Sequence, residues 1–211
     1  MERPNTKVFE PSVEISLAMI TRNEVDVIKI ALNSIKDYVD EIIIVDAEST
    51  DGTIDKAKQF TDKVIISPWE NNFAKQRNIA ISHCTKPYVF MLDADETITP
   101  DFGNKLKMLL RKYSDVDLFS FPRCNTIVDL DERPYLVTKY GWTVDGLKRV
   151  NYPDIQGRLF KREENIKWEG VVHERITGAK KHIIIEGMDI IHTKNWLRQT
   201  SQNNYYDELT E

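Results

Sequence analysis

The chain has 211 residues, of which 41% are hydrophobic and 30% charged, and a net charge of −5. This suits one soluble α/β domain of ordinary size and excludes a disordered or fibrous chain. No basic stripe with interleaved aromatics offsets the acidic balance, which argues against a nucleic-acid partner, and no apolar run approaches the roughly 20 residues that span a bilayer.

The first twelve residues are polar, carry Pro4 and Pro11, and lack the apolar core of a secretion signal. Cys84 and Cys124 stand alone beside apolar runs. That spacing is neither a zinc site nor a disulfide scaffold, and free thiols of this kind point to a reducing, cytoplasmic location.

An apolar strand is expected over 13–20, followed by the polar loop Thr21-Arg22-Asn23-Glu24, with Asn23 placed to cap a helix. Ile28, Ala31, Leu32, Ile35, Tyr38 and Val39 mark that helix by their spacing. Residues 41–46 form a second buried-type strand ending in Asp46. A turn of capping residues over 47–52, a short helix over 53–60 and a third strand over 63–67 follow. This alternation predicts parallel βαβ units with right-handed crossovers. After a loop over 68–73 come a helix over 74–84 and a fourth strand over 88–95, which runs into Asp93, Asp95 and Glu96. Thr99 and Pro100 open a helix whose apolar stripe is Phe102, Leu106, Leu109, Leu110 and Tyr113.

Residues 13–115 therefore read as a Rossmann-like nucleotide-binding half. Beyond them, strands expected over 118–123, 158–162 and 182–192 are separated by mixed loops without clear helices. That predicts a mixed, partly antiparallel extension over 116–211, within a single domain over 1–211. Residues 195–211 suit a terminal helix, and the abrupt end is consistent with one domain of a longer protein.

Of the D-x-D strings Asp93/Asp95, Asp115/Asp117 and Asp129/Asp131, only the first follows a buried-type strand at its ligand-bearing end. Carboxylates this close repel each other unless a cation or a donor-rich ligand sits among them; the plain alternative is a charged turn or helix cap. No G-x-G-x-x-G and no P-loop follows any strand, which disfavours an NAD enzyme or an ATPase. A diphosphate here must be neutralised by a divalent metal and by side chains such as Lys75 and Arg77. Further along, Trp168-Glu169-Gly170-Val171-Val172-His173-Glu174 sets a His beside two Glu, His192 ends an apolar run, and Asp154, Gln156 and Arg158 alternate before a strand. Each alone is more simply structural.

Together these stretches carry a resemblance: ISLAMITRNE at 15–24, VDEIIIVDAESTDGT at 39–53, FAKQRNIA at 73–80, LDADE at 92–96, and RLFKR at 158–162 with WEGVVHE at 168–174. Over nearly its whole length the chain resembles the inverting glycosyltransferases of the GT-A fold, family 2, of the small bacterial and viral type. The resemblance implies a hexosyl- or deoxyhexosyltransferase with Mn²⁺ or Mg²⁺ as cofactor. It would move a sugar from a nucleotide-diphosphate donor, UDP-linked, to a hydroxyl of a glycan or other acceptor, with inversion. Thr21, Arg22, Asn23 and Glu24 would line the nucleoside pocket, Asp46 and Arg77 would contact the uracil, and Asp93 would approach the ribose. Phe73, Lys75 and Ala94 complete the donor set. Asp95 would ligate the metal with Asp93 and His192. Glu174, beside His173, or else Asp154, would be the base that deprotonates the acceptor. The family's usual E-D base pair before a helix is not evident.

Two other readings are open. Residues 90–98 also fit the D-x-D-x-T nucleophile motif of haloacid-dehalogenase-type phosphatases, in which the first Asp attacks phosphorus. Against it, three expected strands precede the motif, no G-D-x-x-x-D follows, and Asp46 and Arg77 have no role. The last reading is a non-catalytic nucleotide-sugar-binding module, with the C-terminal Tyr and Trp residues as a docking surface.

Overall fold

Buried apolar runs lay down the parallel half of the sheet. The computed structural model describes residues 13–210; the first twelve residues, with the reading on a secretion signal, lie outside the described residues, as does Glu211. In chain order the elements are β1 (Ile15–Thr21), α1 (Ile28–Ile35), β2 (Glu41–Asp46), α2 (Thr53–Ala57), β3 (Val64–Ile66), α3 (Phe73–His83), β4 (Tyr88–Met91), β5 (Glu96–Thr97) and α4 (Pro100–Lys112). There follow β6 (Leu118–Ile127), α5 (Tyr135–Tyr140), β7 (Val150–Lys161), β8 (Lys167–Glu169), β9 (Arg175–Thr177), β10 (His182–Ile184), β11 (Ile190–Lys194) and α6 (Trp196–Thr210).

The main sheet among the described residues runs β3-β2-β1-β4-β7-β6-β11-β5, with β10 beside β6. β1, β2, β3 and β4 are mutually parallel where they pair, whereas β7 is antiparallel to both β4 and β6. The expected mixed extension is therefore present. Side chains alternate across β1. Leu17 and Met19 pack with Ile28 of α1 and Phe102 of α4, while Ala18 packs on the other face with Ala74 and Ala80 of α3. Burial on both faces is why the run lacks a polar alternation.

Local chemistry sets the helix starts. Thr99 Oγ1 accepts from Phe102 N at 3.2 Å and Pro100 follows it, while Asn72 Oδ1 accepts from Lys75 N at 2.8 Å. Gly103 is required by a close approach, since a Cβ there would meet the Tyr38 ring at 2.3 Å.

Several expectations are corrected. Asn23 caps no helix: α1 starts only at Ile28, and the Asn23 side chain accepts from Thr50 N at 3.0 Å, tying two loops together. The acidic strand ends at Met91, so Asp93 and Asp95 belong to a turn. The long strand over 182–192 divides at Gly187 (φ +73°) into β10 and β11, both pairing parallel with β6. Helix α5 lies where no helix was expected, its Leu136 packed with Ile127, Leu130 and Val150. Among the described residues, no helix is long and apolar enough to cross a membrane.

Candidate active site

The chain leaves β1 for β2 on one side and β4 lies on the other, so a crevice opens at the strands' C-terminal ends. A cavity of about 610 Å³ occupies it, within the range of small-molecule sites. After β4 the backbone turns, Glu96 N donating to Asp93 O at 3.0 Å, and this turn presents Asp93, Ala94 and Asp95 to the cavity.

Asp93 is clamped. Arg77 of α3 donates from Nη1 to its Oδ1 at 2.6 Å, and Arg158 of β7 donates from Nη2 to its Oδ2 at 2.9 Å. Burial pushes this carboxyl up, but the charges of Arg158 and Arg77 hold it well below the usual range. Arg158, 1% exposed, also donates to Glu96 at 2.5 Å, and Arg77 lies 4.8 Å over the Trp168 ring. The expected metal ligand Asp93 is thus an anion already neutralised on both oxygens. Among the described residues, no three His, Cys, Asp or Glu side chains are grouped to hold an ion.

Asp95 differs. Its Oδ2 faces His192 Nε2 at 3.2 Å, Lys194 Nζ at 3.3 Å and Arg198 Nη2 at 3.4 Å. Burial raises this carboxyl too; the His192 hydrogen bond and the charges of His192 and Lys194 bring it far below its ordinary value. His192 Nδ1 lies 2.7 Å from Asn125 Oδ1 and must carry a proton to make that bond, since an amide oxygen can only accept. Its Nε2 then meets the Asp95 oxygen across either a second proton or a cation. Mg²⁺ and Mn²⁺ take few protein ligands and leave the rest to water and phosphate. Asp95 and His192 would hold such an ion, with Lys194 and Arg198 already against the same Asp95 oxygen.

Of the expected donor-binding residues, Thr21, Arg22, Asn23, Glu24, Phe73, Arg77, Asp93, Ala94 and Asp95 all line the cavity. Asp46 and Lys75 do not. Asp46 is fully buried behind the wall, where its oxygens accept from Thr21 Oγ1, Ser49 N and Ser49 Oγ, each at 2.7 Å, so it braces the loops instead of meeting a base. Lys75 points outward to Glu70 at 2.5 Å, both exposed.

Among the catalytic candidates, Glu174 lines the cavity, its Oε1 accepting from Arg77 Nε at 2.6 Å. His173 is exposed, with a left-handed backbone (φ +54°) and its ring against Tyr206, outside the cavity lining. Asp154 is also outside, and its oxygens are taken by Arg123, Asn125 and Gln156. Burial raises its carboxyl, but the Arg123 charge and these bonds outweigh that and lower it, which leaves a poor proton acceptor.

One wall was missed by sequence reasoning. Helix α6 presents Arg198, Ser201, Gln202, Tyr205 and Tyr206 to the cavity. Arg198 pairs with Glu24, and the Tyr205 hydroxyl accepts from Trp69 Nε1 at 2.5 Å. The signal was a polar stripe at i, i+3, i+4, i+7 and i+8, opposite in kind to the apolar stripe usually sought. Arg22, Arg77, Arg123, Lys194 and Arg198 face Glu24, Asp93, Asp95 and Glu174 around the cavity, so its wall is not one-sidedly acidic and a diphosphate meets donors there.

The chain matches the family model Glycosyl transferase family 2 over residues 16–180. The SPbeta prophage-derived glycosyltransferase SunS of Bacillus subtilis is 31% identical over 162 residues, which are 76% of this chain and 34% of that protein. An uncharacterized glycosyltransferase of Rickettsia felis is 37% identical over 101 residues, 48% of this chain and 35% of the relative. The chain thus spans about a third of the length of the curated relatives it matches. Among solved structures, S. aureus TarS 1–349 in complex with UDP-GlcNAc has a TM-score of 0.58 at 16% identity, covering 86% of this chain and 59% of that one. Glucosyl-3-phosphoglycerate synthase from Mycobacterium tuberculosis, in complex with Mn²⁺ and UDP-glucose, has a TM-score of 0.51 at 19% identity, covering 75% and 60%. At these identities the likeness is one of fold.

The phosphatase alternative is overturned: β1, β2 and β3 precede the acidic turn, and Asp93, held between two arginines, is not poised to attack phosphorus. The family match runs from β1 to just before β10, through the strands and helices that carry the acidic turn, Arg77 and Glu174, and the chain belongs to glycosyl transferase family 2, with the GT-A fold.

Proposed function

We propose that this glycosyltransferase moves a sugar from a UDP-sugar to an acceptor hydroxyl, with inversion at the anomeric carbon and dependence on Mn²⁺ or Mg²⁺. The observation that carries the reading is the approach of Asp95 Oδ2 to His192 Nε2 on the wall of the cavity. The structural neighbours support the donor and the ion, since TarS is solved with UDP and UDP-GlcNAc and the mycobacterial synthase with Mn²⁺ and UDP-glucose.

Asp95 and His192 would hold a divalent ion, which when bound would supply Lewis-acid neutralisation of the charge that builds on the departing diphosphate. Lys194 and Arg198, already against Asp95, take diphosphate oxygens beside it. Thr21, Arg22, Asn23 and Glu24 hold the nucleoside, and Asp93, fixed by Arg77 and Arg158, accepts from the ribose with its remaining lone pairs. Trp69, Phe73, Tyr205 and Tyr206 offer ring faces to the sugar and acceptor. Glu174, oriented by Arg77, takes the acceptor's proton on the face opposite the leaving diphosphate. In this division of labour residues 13–115 hold the nucleoside and ribose, while 116–211 complete the diphosphate and metal subsite through His192, Lys194 and Arg198 and provide the acceptor side.

The test is release of UDP from a panel of UDP-sugars with Mn²⁺ or with EDTA, followed by the anomeric proton coupling of the product. Turnover confined to the metal-containing samples, with an inverted product, is expected. Equal release in EDTA would overturn the metal dependence. If no UDP-sugar is turned over or raises the Tm, the donor class is wrong.

A further inference from the structure

We infer that Asn125 is a positioning residue that fixes the metal-binding face of His192, with Asp154 as the anchor that sets which way the Asn125 amide points. The inference rests on the metal reading above.

The relay crosses three adjacent strands. Asp154 lies on β7, Arg123 and Asn125 on β6, and His192 on β11, with Arg123 in register with Asp154 and Asn125 with His192. The β6–β7 register shifts between Arg123 and Asn125, an irregularity of the kind that re-aims side chains beside active sites. Both β6 side chains consequently reach the same carboxylate. Arg123 donates to Asp154 Oδ2 from Nε at 2.8 Å and from Nη2 at 2.6 Å, and Asn125 donates from Nδ2 at 3.0 Å. Gln156 Nε2 holds the other oxygen at 2.6 Å.

These contacts decide the amide's orientation. Turned the other way, Asn125 would set its oxygen against the Asp154 carboxylate and lose the bond it donates there. As built, the NH₂ meets the carboxylate and the oxygen meets His192 Nδ1 at 2.7 Å. Nδ1 is committed as a donor, the ring plane is pinned, and Nε2 is the nitrogen left to offer a lone pair beside Asp95. The arrangement is a carboxylate–histidine–metal triad lengthened by one amide, and it gives Asp154 a role in place of acid–base chemistry.

The experiment compares wild type, Asn125→Leu, the double variant Asn125→Asp with Asp154→Asn, and His192→Ala. Mn²⁺ affinity is read from the paramagnetic resonance of the free ion at saturating UDP, and UDP affinity is measured separately in EDTA. Losing an outer partner of a metal-bound imidazole typically weakens the ion by roughly 10- to 100-fold, so Asn125→Leu should fall in that range with its EDTA-measured UDP affinity within about twofold of wild type. Asn125→Asp combined with Asp154→Asn, which keeps an acceptor for Nδ1–H without setting two carboxylates together, should stay within about threefold of wild type for Mn²⁺. If His192→Ala loses the ion and Asn125→Leu does not, the relay is overturned and the metal site stands. If His192→Ala binds Mn²⁺ like wild type, the metal reading and the relay fail together. Equal loss in both Asn125 variants would indicate packing and overturn the relay. Should Asn125→Leu not fold, nitrogen NMR of wild type with Mg²⁺ and UDP decides: a proton on Nδ1 of His192 supports the relay, and one on Nε2 overturns it.

Discussion

Arg77 Nε and Glu174 Oε1 meet at 2.6 Å although 97 positions separate the two residues in the chain. The same guanidinium donates from Nη1 to Asp93 at 2.6 Å and packs over Trp168. One planar fork therefore sets the distance between the proposed base and the acidic turn that holds the donor. Lysine, a point charge without the fork, would not reproduce both bonds.

Glu174→Gln follows directly. The amide oxygen can still accept from Arg77, so the site's geometry is retained while the proton acceptor is lost. A positioned general base contributes about 10²- to 10⁴-fold, and transfer should fall by that amount with UDP affinity nearly unchanged. Single-turnover transfer and calorimetric UDP binding separate the two effects. Transfer within tenfold of wild type would place the base on another residue.

Asp95→Asn removes the charge and keeps the shape, which matters because Lys194, buried beside it, would otherwise face a void. In wild type with UDP, Mn²⁺ should raise the Tm, because an ion that binds only the folded chain stabilises it by mass action. The variant should show little of that rise. An equal Mn²⁺-dependent shift in both proteins would remove Asp95 from the ion's ligands.

Arg158 is a structural counterpart to Arg77: 1% exposed, it joins Asp93 at 2.9 Å to Glu96 at 2.5 Å. Arg158→Met fills the space but leaves both carboxylates short of a partner. Breaking a buried pair by removing one member costs about 3–5 kcal/mol, and urea denaturation should find a loss of that order. A loss below about 1 kcal/mol would mean that Arg77 and Arg123 neutralise the acids without it.

The parallel half was legible because its signal is local. Runs such as Ile15–Met19 and Ile43–Val45 are buried on both faces, and the stripes of α1 and α4 sit at helical spacing. Most of the cavity-lining donor residues were legible too, as strand-end loops. What failed depends on partners distant in sequence or on competition between them. Asp46 looks like a ligand at a strand end, yet Thr21 and Ser49 take its oxygens. Asp93 looks like a metal ligand until Arg77 and Arg158 arrive from α3 and β7. Asp154 looks like a base until the β6–β7 register brings it Arg123 and Asn125. The α6 wall hides because a pocket-facing helix side in a polar site carries polar residues, the same pattern as a solvated face.

Away from the cavity, Glu41 should govern acid stability. Its side chain is 4% exposed and accepts from Ser16 Oγ, from Lys63 Nζ at 2.5 Å, and from Thr85 N at 2.7 Å and Oγ1 at 2.9 Å. Burial pushes the carboxyl up, but the Lys63 bond and those from Ser16 and Thr85 together bring it down from 4.5 to about 2. A carboxyl whose folded-state value is depressed stabilises the fold fully above its unfolded value of 4.5 and loses that contribution as pH falls toward 2. The displacement corresponds to stability on the order of 3 kcal/mol at neutral pH. Glu41→Gln should therefore be less stable than wild type by about that amount at pH 7, and the gap should narrow steadily below pH of about 4.5. Denaturation midpoints measured for both proteins between neutral pH and about pH 3 provide the check. A gap that stays constant over that range would show that Glu41 acts through packing and not through its charge.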